Sequence, residues 1–160
     1  MNLSTEAKLV SGVTLLAITT IMFGGWALMG ILTQGAIGID HGDLALDETQ
    51  RALWRAGHAH AGVWAVLALI IQVLLDSTKL SRALMWCARI SAPIAAVAVA
   101  GGFFGIAFFP EFRWLMYFGI LCLLVTLGLT GVGLLTNLRS LEERAQPTVP
   151  ADVPASRGRG

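Results

Sequence analysis

Charged side chains are scarce over most of this chain of 160 residues, of which 13% are charged and 56% hydrophobic. A soluble domain of this size spreads charge over its whole surface. Here the charges stand in short clusters between apolar runs about as long as the roughly 20 residues that a helix needs to cross a bilayer. Because lipid offers the backbone no hydrogen-bond partners, these runs are expected to be helices.

Cysteine is also scarce, and neither sign of charge is in large excess. The two cysteines, Cys87 and Cys122, form neither a C-x-x-C nor a C-x-x-C-H motif. They are therefore interpreted as small apolar residues in packed or lipid-facing helices. The formal net charge of +1 gives no indication of a nucleic-acid partner.

The sequence predicts an all-α integral membrane four-helix bundle, multi-pass in the cell membrane and surrounded by the lipid bilayer. Asp47 is expected to cap the second span, with Gln50 completing a capping box. The tail, residues 140–160, is polar and rich in breakers and is expected to be disordered. One domain, residues 1–139, contains the four expected spans, which cover about 9–32, 48–75, 83–109 and 112–138.

Basic residues predict how the bundle is oriented. They cluster before the first span, between the second and third, and after the fourth, as Lys8, Lys79, Arg82, Arg139 and Arg144. The loop after the first span carries acidic residues instead, namely Asp40, Asp43, Asp47 and Glu48. By the positive-inside rule, both termini are cytoplasmic and this loop lies outside.

Two histidines, His58 and His60, lie near the start of the second span. Ionisable side chains inside a membrane are costly and tend to mark function. Residues two apart on a helix point about 200° from each other, so a single metal ion cannot easily take both. No further Cys or His completes a tetrahedral zinc site. A third histidine, His41, lies in the loop and is expected to be solvated.

A b-type haem fits this pattern better, because it needs one axial imidazole and a flat space beside it. His58 shares its helix face with Trp54, Arg51 and Arg55, and the two arginines are placed to pair with haem propionates. Only small residues flank the histidines and leave the space that a haem requires; these are Gly57, Ala59, Ala61 and Gly62.

His60 lies on the face of the helix opposite to His58, and three interpretations of its role remain open. It is the ligand itself, a hydrogen-bond donor near the cofactor, or a contact with a neighbouring helix. The whole motif also has a structural interpretation, in which the histidines bond a neighbouring helix and the arginines anchor the interface. Trp54 would then belong to an aromatic belt.

The four spans and the stretch from Trp54 to Gly62 resemble the small membrane-bound styrene oxide isomerases. The resemblance implies a haem b between the subunits of a homotrimer, whose ferric iron acts as a Lewis acid on a small aryl epoxide. Trp54 and His58 keep the family's Trp-x-x-x-His spacing, whereas His60 and Gly62 match its His-x-Gly. The two alignments exclude each other, and we prefer His58 as the ligand because of its arginine face.

The chain departs from that family further along the helices. The family places an Asn where this chain has Trp64 or Val66, depending on the alignment. It also places an Asp and a Tyr on the third helix, where this chain offers apolar residues such as Phe103 and Phe104. No catalytic residue is therefore assigned.

Two other functions are kept as alternatives. The H-x-H at a helix start is similar to that of small four-span proteins related to haem–copper oxidase subunits, which implies a haem or metal used in electron transfer or assembly. The third interpretation is a structural or accessory membrane subunit that binds nothing.

The predicted orientation can be tested by cysteine labelling. In a chain carrying Cys87→Ala and Cys122→Ala, Asp43→Cys should react with a membrane-impermeant maleimide in intact cells, because the loop lies outside. Lys79→Cys is the matched control and should react only after permeabilisation. The opposite labelling pattern would mean that the orientation is inverted.

Overall fold

The computed structural model describes residues 3–39, 42 and 44–145, with side chains up to residue 138. The predictions for His41 and for the tail beyond residue 145 lie outside these residues. Within them the chain is all-helical, without a strand. The elements are α1 (Thr5–Thr33), α2 (Glu48–Leu75), α3 (Arg82–Ile106), a short 3-10 helix (Pro110–Phe112) and α4 (Arg113–Ala145).

The predicted fold class is confirmed at this level. Each of the four helices in the described residues is long and apolar enough to cross a membrane, which is the composition of a multi-pass membrane protein. The side of the membrane on which the termini lie stays a prediction. The fourth helix continues to Ala145, past position 138, where the fourth span was expected to end. Residues 140–145, which were expected to belong to a disordered tail, therefore continue this helix.

Side-chain caps define where the helices begin. The Asp47 carboxylate accepts a hydrogen bond from the Gln50 backbone N–H at 2.8 Å, and the Gln50 side chain accepts one from the Asp47 N–H at 3.0 Å. This is the capping box expected from the sequence. The Ser4 hydroxyl caps α1 in the same way by accepting from the Ala7 N–H. Helix α1 therefore begins about one turn before the apolar run does.

Helices α2, α3 and α4 form the packed part of the bundle. A core cluster joins Ala68, Ile71 and Leu75 of α2 to Ala88 and Ala92 of α3. Glycines bring α4 into close contact with α3. A Cβ at Gly102 would lie 2.6 Å from the Met116 Cβ, and one at Gly119 would lie 2.7 Å from the Val99 nitrogen. Close approach of this kind is how helices associate in lipid.

Helix α1 lies at the periphery. Only 11% of its most apolar stretch is buried, compared with 44% for α3. Most of its large apolar side chains, Leu16 and Phe23 among them, are exposed. Since lipid solvates these side chains as well as another helix would, apolar burial gives little drive to hold α1 in place.

A buried polar network ties the beginning of α1 to the other helices. The Arg89 guanidinium of α3 is 2% exposed and forms an ion pair with the Asp76 carboxylate at the end of α2. It also donates to the Gln72 side-chain oxygen at 3.1 Å and to the Ser4 hydroxyl. The Ser4 N–H and hydroxyl each donate to Asp76 at 2.8 Å. We call these four residues the polar network.

The polar network lies at one end of the bundle and the histidines lie towards the other. The Asn137 side-chain NH₂ donates to the Ser77 carbonyl at 2.8 Å, which brings the end of α4 to the turn between α2 and α3. The beginning of α1 is at this turn as well, through Ser4 and Asp76. The loop between α1 and α2 therefore lies at the opposite end.

Loss of the Asp76 carboxylate should destabilise the protein strongly. Burial by itself raises the pKa of Asp76, but hydrogen bonds from Ser4 and Arg89 outweigh it and hold this pKa below its ordinary value of 3.8. Asp76→Asn leaves a buried guanidinium without its counter-charge, which costs about 3–5 kcal/mol. We expect this loss in the free energy of unfolding, measured in mixed micelles at neutral pH.

The pH dependence of the same experiment has a defined sign. Because the folded-state pKa is depressed, the contribution of Asp76 is complete above its ordinary pKa and is lost as the pH falls through the lowered value. In Asp76→Asn this acid-dependent loss should be missing. Glu111→Gln, at an exposed position, is the control and should leave both quantities unchanged. A stability of Asp76→Asn equal to that of the unchanged protein would show that the network does not hold the fold.

Candidate cofactor site between α1 and α2

His58 lies at the contact between α1 and α2. It is ten residues after Glu48, about 15 Å along α2. A Cβ built on Gly25 of α1 would lie 2.7 Å from its Nε2 and 2.8 Å from its Cε1. The glycine is therefore what allows α1 to approach the imidazole. Neither ring nitrogen of His58 has a hydrogen-bond partner within the described part of the chain.

Two apolar cavities meet at His58. The inner cavity has a volume of about 250 Å³ and is lined on the α2 and α3 side by Trp54, Ala61 and Phe104. The outer cavity has a volume of about 530 Å³ and carries Arg55. Both also contact α1, the inner one at Gly24 and Ala27 and the outer one at Met22, Gly25 and Trp26. The imidazole therefore stands between two apolar spaces along one crevice.

The two arginines of the predicted site differ in their positions. Arg55 is exposed and lines the outer cavity, so its charge lies at the rim of the crevice. Arg51, one turn earlier on α2, donates from Nε to the Leu46 carbonyl at 2.9 Å. The loop before α2 therefore already binds this guanidinium, and Arg55 is the cation nearer to His58.

Trp54 forms the wall of the inner cavity. Its ring packs edge-on against Phe104 of α3 and against Phe108, just after the end of α3, with centroid distances of 5.4 and 5.9 Å. Its indole N–H is buried and has no acceptor in the described residues. A buried donor without an acceptor costs free energy, and in native proteins such a group calls for an explanation.

His60 points towards α3 instead. Its Nδ1 lies 2.7 Å from the Ala56 carbonyl, and this nitrogen must carry the proton because a carbonyl only accepts. Its ring packs on Phe103 at 4.8 Å. A bond of this kind on Nδ1 fixes the ring and leaves Nε2 as the nitrogen for a metal, which is how ligating histidines are usually held. His60 therefore keeps its place as the alternative ligand.

The small residues beside the histidines differ in the space they leave. A Cβ at Gly57 would lie 3.2 Å from both the Ala100 oxygen and the Phe103 Cβ, so α3 fills the space expected there. A Cβ at Gly62 would meet no atom within 4 Å. The open space beside His58 is thus found in the two cavities on the side of α1, which flank the contact with Gly25, rather than at Gly57.

The donor set argues against a bare metal ion. Among the described residues there is no group of three or more His, Cys, Asp or Glu side chains that would hold one. A haem brings four nitrogens of its own and needs one imidazole from the protein. The chemistry at His58 therefore fits a haem better than a free metal ion.

Two features of this region were not predicted from the sequence. The first is the contact of Gly25 with His58, whose only signal is the Gly24–Gly25 pair in the middle of the first apolar run. The second is the polar network, whose signal is Arg89 and Gln72 standing inside apolar runs, since polar residues in spans tend to be partnered and functional.

Comparison with known proteins adds no assignment. No family model, no curated protein and no solved structure matches this chain. The site is therefore interpreted from its own geometry.

The contact between Gly25 and His58 can be tested with a pair of adjacent glycines. Gly24→Ala should stabilise α1 by up to about 1 kcal/mol, because alanine favours a helix and the new Cβ meets no atom within 4 Å. Gly25→Ala should lose that gain, because its Cβ displaces the His58 ring. The free energy of unfolding, measured by denaturation in mixed micelles, reports the difference.

A double variant provides the control. In a His58→Ala background the two glycine substitutions should have equal effects, since the clashing ring is missing. If the difference between them persisted there, the proximity of His58 to Gly25 would be wrong.

Proposed function

We propose that this chain is a membrane-bound b-type haem protein, with the haem in the crevice between α1 and α2 and His58 as its axial ligand. The observation that carries the proposal is the imidazole, which has no hydrogen-bond partner among the described residues and stands between two apolar cavities with Arg55 at the rim. A haem is a wide apolar plate with charged propionates at one edge, so it needs an apolar crevice and a cation beside one imidazole.

The packing of α1 bears on how a haem would enter. Because Nε2 of His58 lies against Gly25, α1 must move away from α2 at this point before iron reaches that nitrogen. The sparse burial of α1 makes such movement inexpensive, and the polar network holds the other end of the helix. Arg55 would pair with a propionate, while Met22 and Trp26 supply an apolar wall.

We further propose that the reaction is the isomerisation of a small apolar epoxide, such as an aryl epoxide, to an aldehyde. Bound ferric haem supplies a Lewis acid that polarises the epoxide oxygen. The chain itself supplies an apolar site, and within the part that the structure describes no carboxylate lines either cavity next to His58. Isomerisation adds no water, so cavities that hold few polar groups favour rearrangement over hydrolysis.

His60 is the alternative ligand, favoured by the hydrogen bond that fixes its ring. A haem on His60 would lie on the opposite face of α2, towards α3. Electron transfer or assembly is the alternative use of the haem, since it needs the cofactor without a substrate cavity.

We also propose a homo-oligomer, a trimer if the resemblance to the isomerases extends to assembly. Gly128 and Gly131 of α4 are available for a second copy, because a Cβ at either would meet no atom within 4 Å. The other glycines of this region, such as Gly119, are already used inside the bundle.

An absorbance spectrum of the purified protein tests the cofactor. We expect a Soret band that His58→Ala abolishes or strongly shifts, and that His60→Ala only perturbs. Arg55→Ala should weaken haem retention while leaving the ligand unchanged, since a hydrogen bond to a charged group contributes about 1.5–3 kcal/mol.

The possible results of these experiments distinguish between the two candidate ligands and between the proposed uses of the haem. Loss of the band in His60→Ala alone would move the haem to the other face of α2. A full, unshifted Soret band in the variant that carries both His58→Ala and His60→Ala would show that neither histidine binds the haem. Turnover of an aryl epoxide by the haem-loaded protein supports the isomerase, whereas a haem without turnover leaves electron transfer or assembly.

A further inference from the structure

A pocket with charged walls lies at the end of the bundle that holds the polar network. It has a volume of about 320 Å³ and lies between the beginning of α1 and the beginning of α3. Its lining includes the side chains of Glu6, Asp76, Arg82, Trp86 and Arg89. We call it the charged pocket. In a chain that spans the bilayer with these helices, a pocket at the helix ends is at the depth of the lipid headgroups.

Two of the four charges in this pocket are left without a partner. Arg89 and Asp76 neutralise each other as the ion pair of the polar network. The side chains of Glu6 and Arg82 line the same pocket, but neither has an ion-pair or hydrogen-bond partner among the described residues. A molecule that carries one negative and one positive group therefore complements the charged pocket.

An apolar groove continues from the charged pocket between α1 and α3. On its lining, Leu9 of α1 follows Glu6 by less than one turn, and Ile90 of α3 directly follows Arg89. The groove has a volume of about 690 Å³ and follows α3 from Ile90 to Gly101, about 17 Å at 1.5 Å per residue. This length is about half of the roughly 30 Å hydrocarbon core, which is the depth that one acyl chain fills.

The groove is open to the surrounding lipid but has no use for a second polar group. Leu9 is 61% exposed and Val97 is 73% exposed, and both belong to its lining. The hydroxyl of Thr14, which also lines the groove, already donates to the Val10 carbonyl at 2.8 Å. A lipid can therefore enter sideways from the bilayer while its headgroup stays at the membrane surface.

We propose that the charged pocket and the groove together bind one zwitterionic phospholipid whose headgroup ends in a primary ammonium, as in phosphatidylethanolamine. The phosphate pairs with Arg82 at the beginning of α3, where the helix end also favours an anion. The ammonium donates to the Glu6 carboxylate, and one acyl chain lies in the groove. This site is at the opposite end of the bundle from His58, and the inference does not require the proposed haem.

Native mass spectrometry of the purified, delipidated protein tests the headgroup. Three phospholipids with the same acyl chains and with ethanolamine, choline or glycerol headgroups are titrated separately. The ethanolamine lipid should bind about fivefold more tightly than the others, because the choline lipid has no N–H donor and the glycerol lipid has no positive charge. Fivefold corresponds to about 1 kcal/mol, the value of one hydrogen bond or of a good exposed ion pair.

Charge variants test the two contacts of the headgroup. Arg82→Gln should weaken the binding of all three phospholipids by about fivefold, because each of them carries the phosphate. Glu6→Gln should remove the preference for the ethanolamine lipid over the choline lipid, since that preference depends on N–H donors facing a carboxylate. Lys8→Gln, at an exposed position of α1 outside both linings, is the matched control and should change neither quantity.

A second pair of variants tests the acyl chain. Val13→Trp places an indole in the groove and should abolish binding of the ethanolamine lipid. Leu16→Trp, which is also exposed but lies outside the lining, should leave it unchanged. Glycerophosphoethanolamine, which has the headgroup without the chains, should not compete with the phospholipid.

Equal binding of the three phospholipids would overturn the proposal, as would unchanged binding in both Arg82→Gln and Glu6→Gln. Unchanged binding in Val13→Trp, or effective competition by glycerophosphoethanolamine, would overturn the placement of the acyl chain in the groove. The Soret band recorded on the same samples separates this site from the haem. Selective binding of the ethanolamine lipid to protein that lacks the band supports the lipid site even if the haem proposal fails.

Discussion

The ion pair between Asp76 and Arg89 is the constraint on which the arrangement of α1 depends. A guanidinium at the edge of an apolar bundle is tolerated only when its donors are used, and Arg89 uses them on Asp76, Gln72 and Ser4. Because Ser4 is also the N-cap of α1, the same hydrogen bonds that satisfy the charge fix where this helix begins. Lipid solvates the rest of α1 as well as a neighbouring helix would, so few other forces set its position.

The polar network fixes the beginning of α1, whereas the end of α1 near the histidines is held by a different kind of contact. Towards the histidine end, α1 meets α2 through the van der Waals contact of Gly25 with the His58 ring, flanked by cavities on both sides. Such a contact is individually weak. In the haem site that we propose, α1 would move away from α2 at His58 while the polar network keeps the beginning of the helix attached.

The sequence predicted where the helices lie and how one of them is capped. It did not predict which residues of different helices contact each other. Hydropathy places the spans because lipid forces every backbone group into a helix, and Asp47 with Gln50 is a local signal that needs no tertiary information. Gly25 and His58 are distant in the chain, so no local pattern reveals their contact. The contact between Ser4 and Arg89, which are 85 residues apart, is not revealed by a local pattern either. A single arginine in an apolar run indicates only that it has some partner.

The distribution of polar groups limits the chemistry that the crevice can perform. Among the described residues, no carboxylate lines either cavity beside His58, and the imidazole is the one basic group of the inner cavity. An imidazole that binds iron through one nitrogen no longer serves as a general base through it. What then remains on the linings of the two cavities is Arg55, as a charge at the rim. In the haem site that we propose, a reaction would proceed by polarising an oxygen rather than by relaying protons between carboxylates, and such a site would favour rearrangement of an apolar substrate over its hydrolysis.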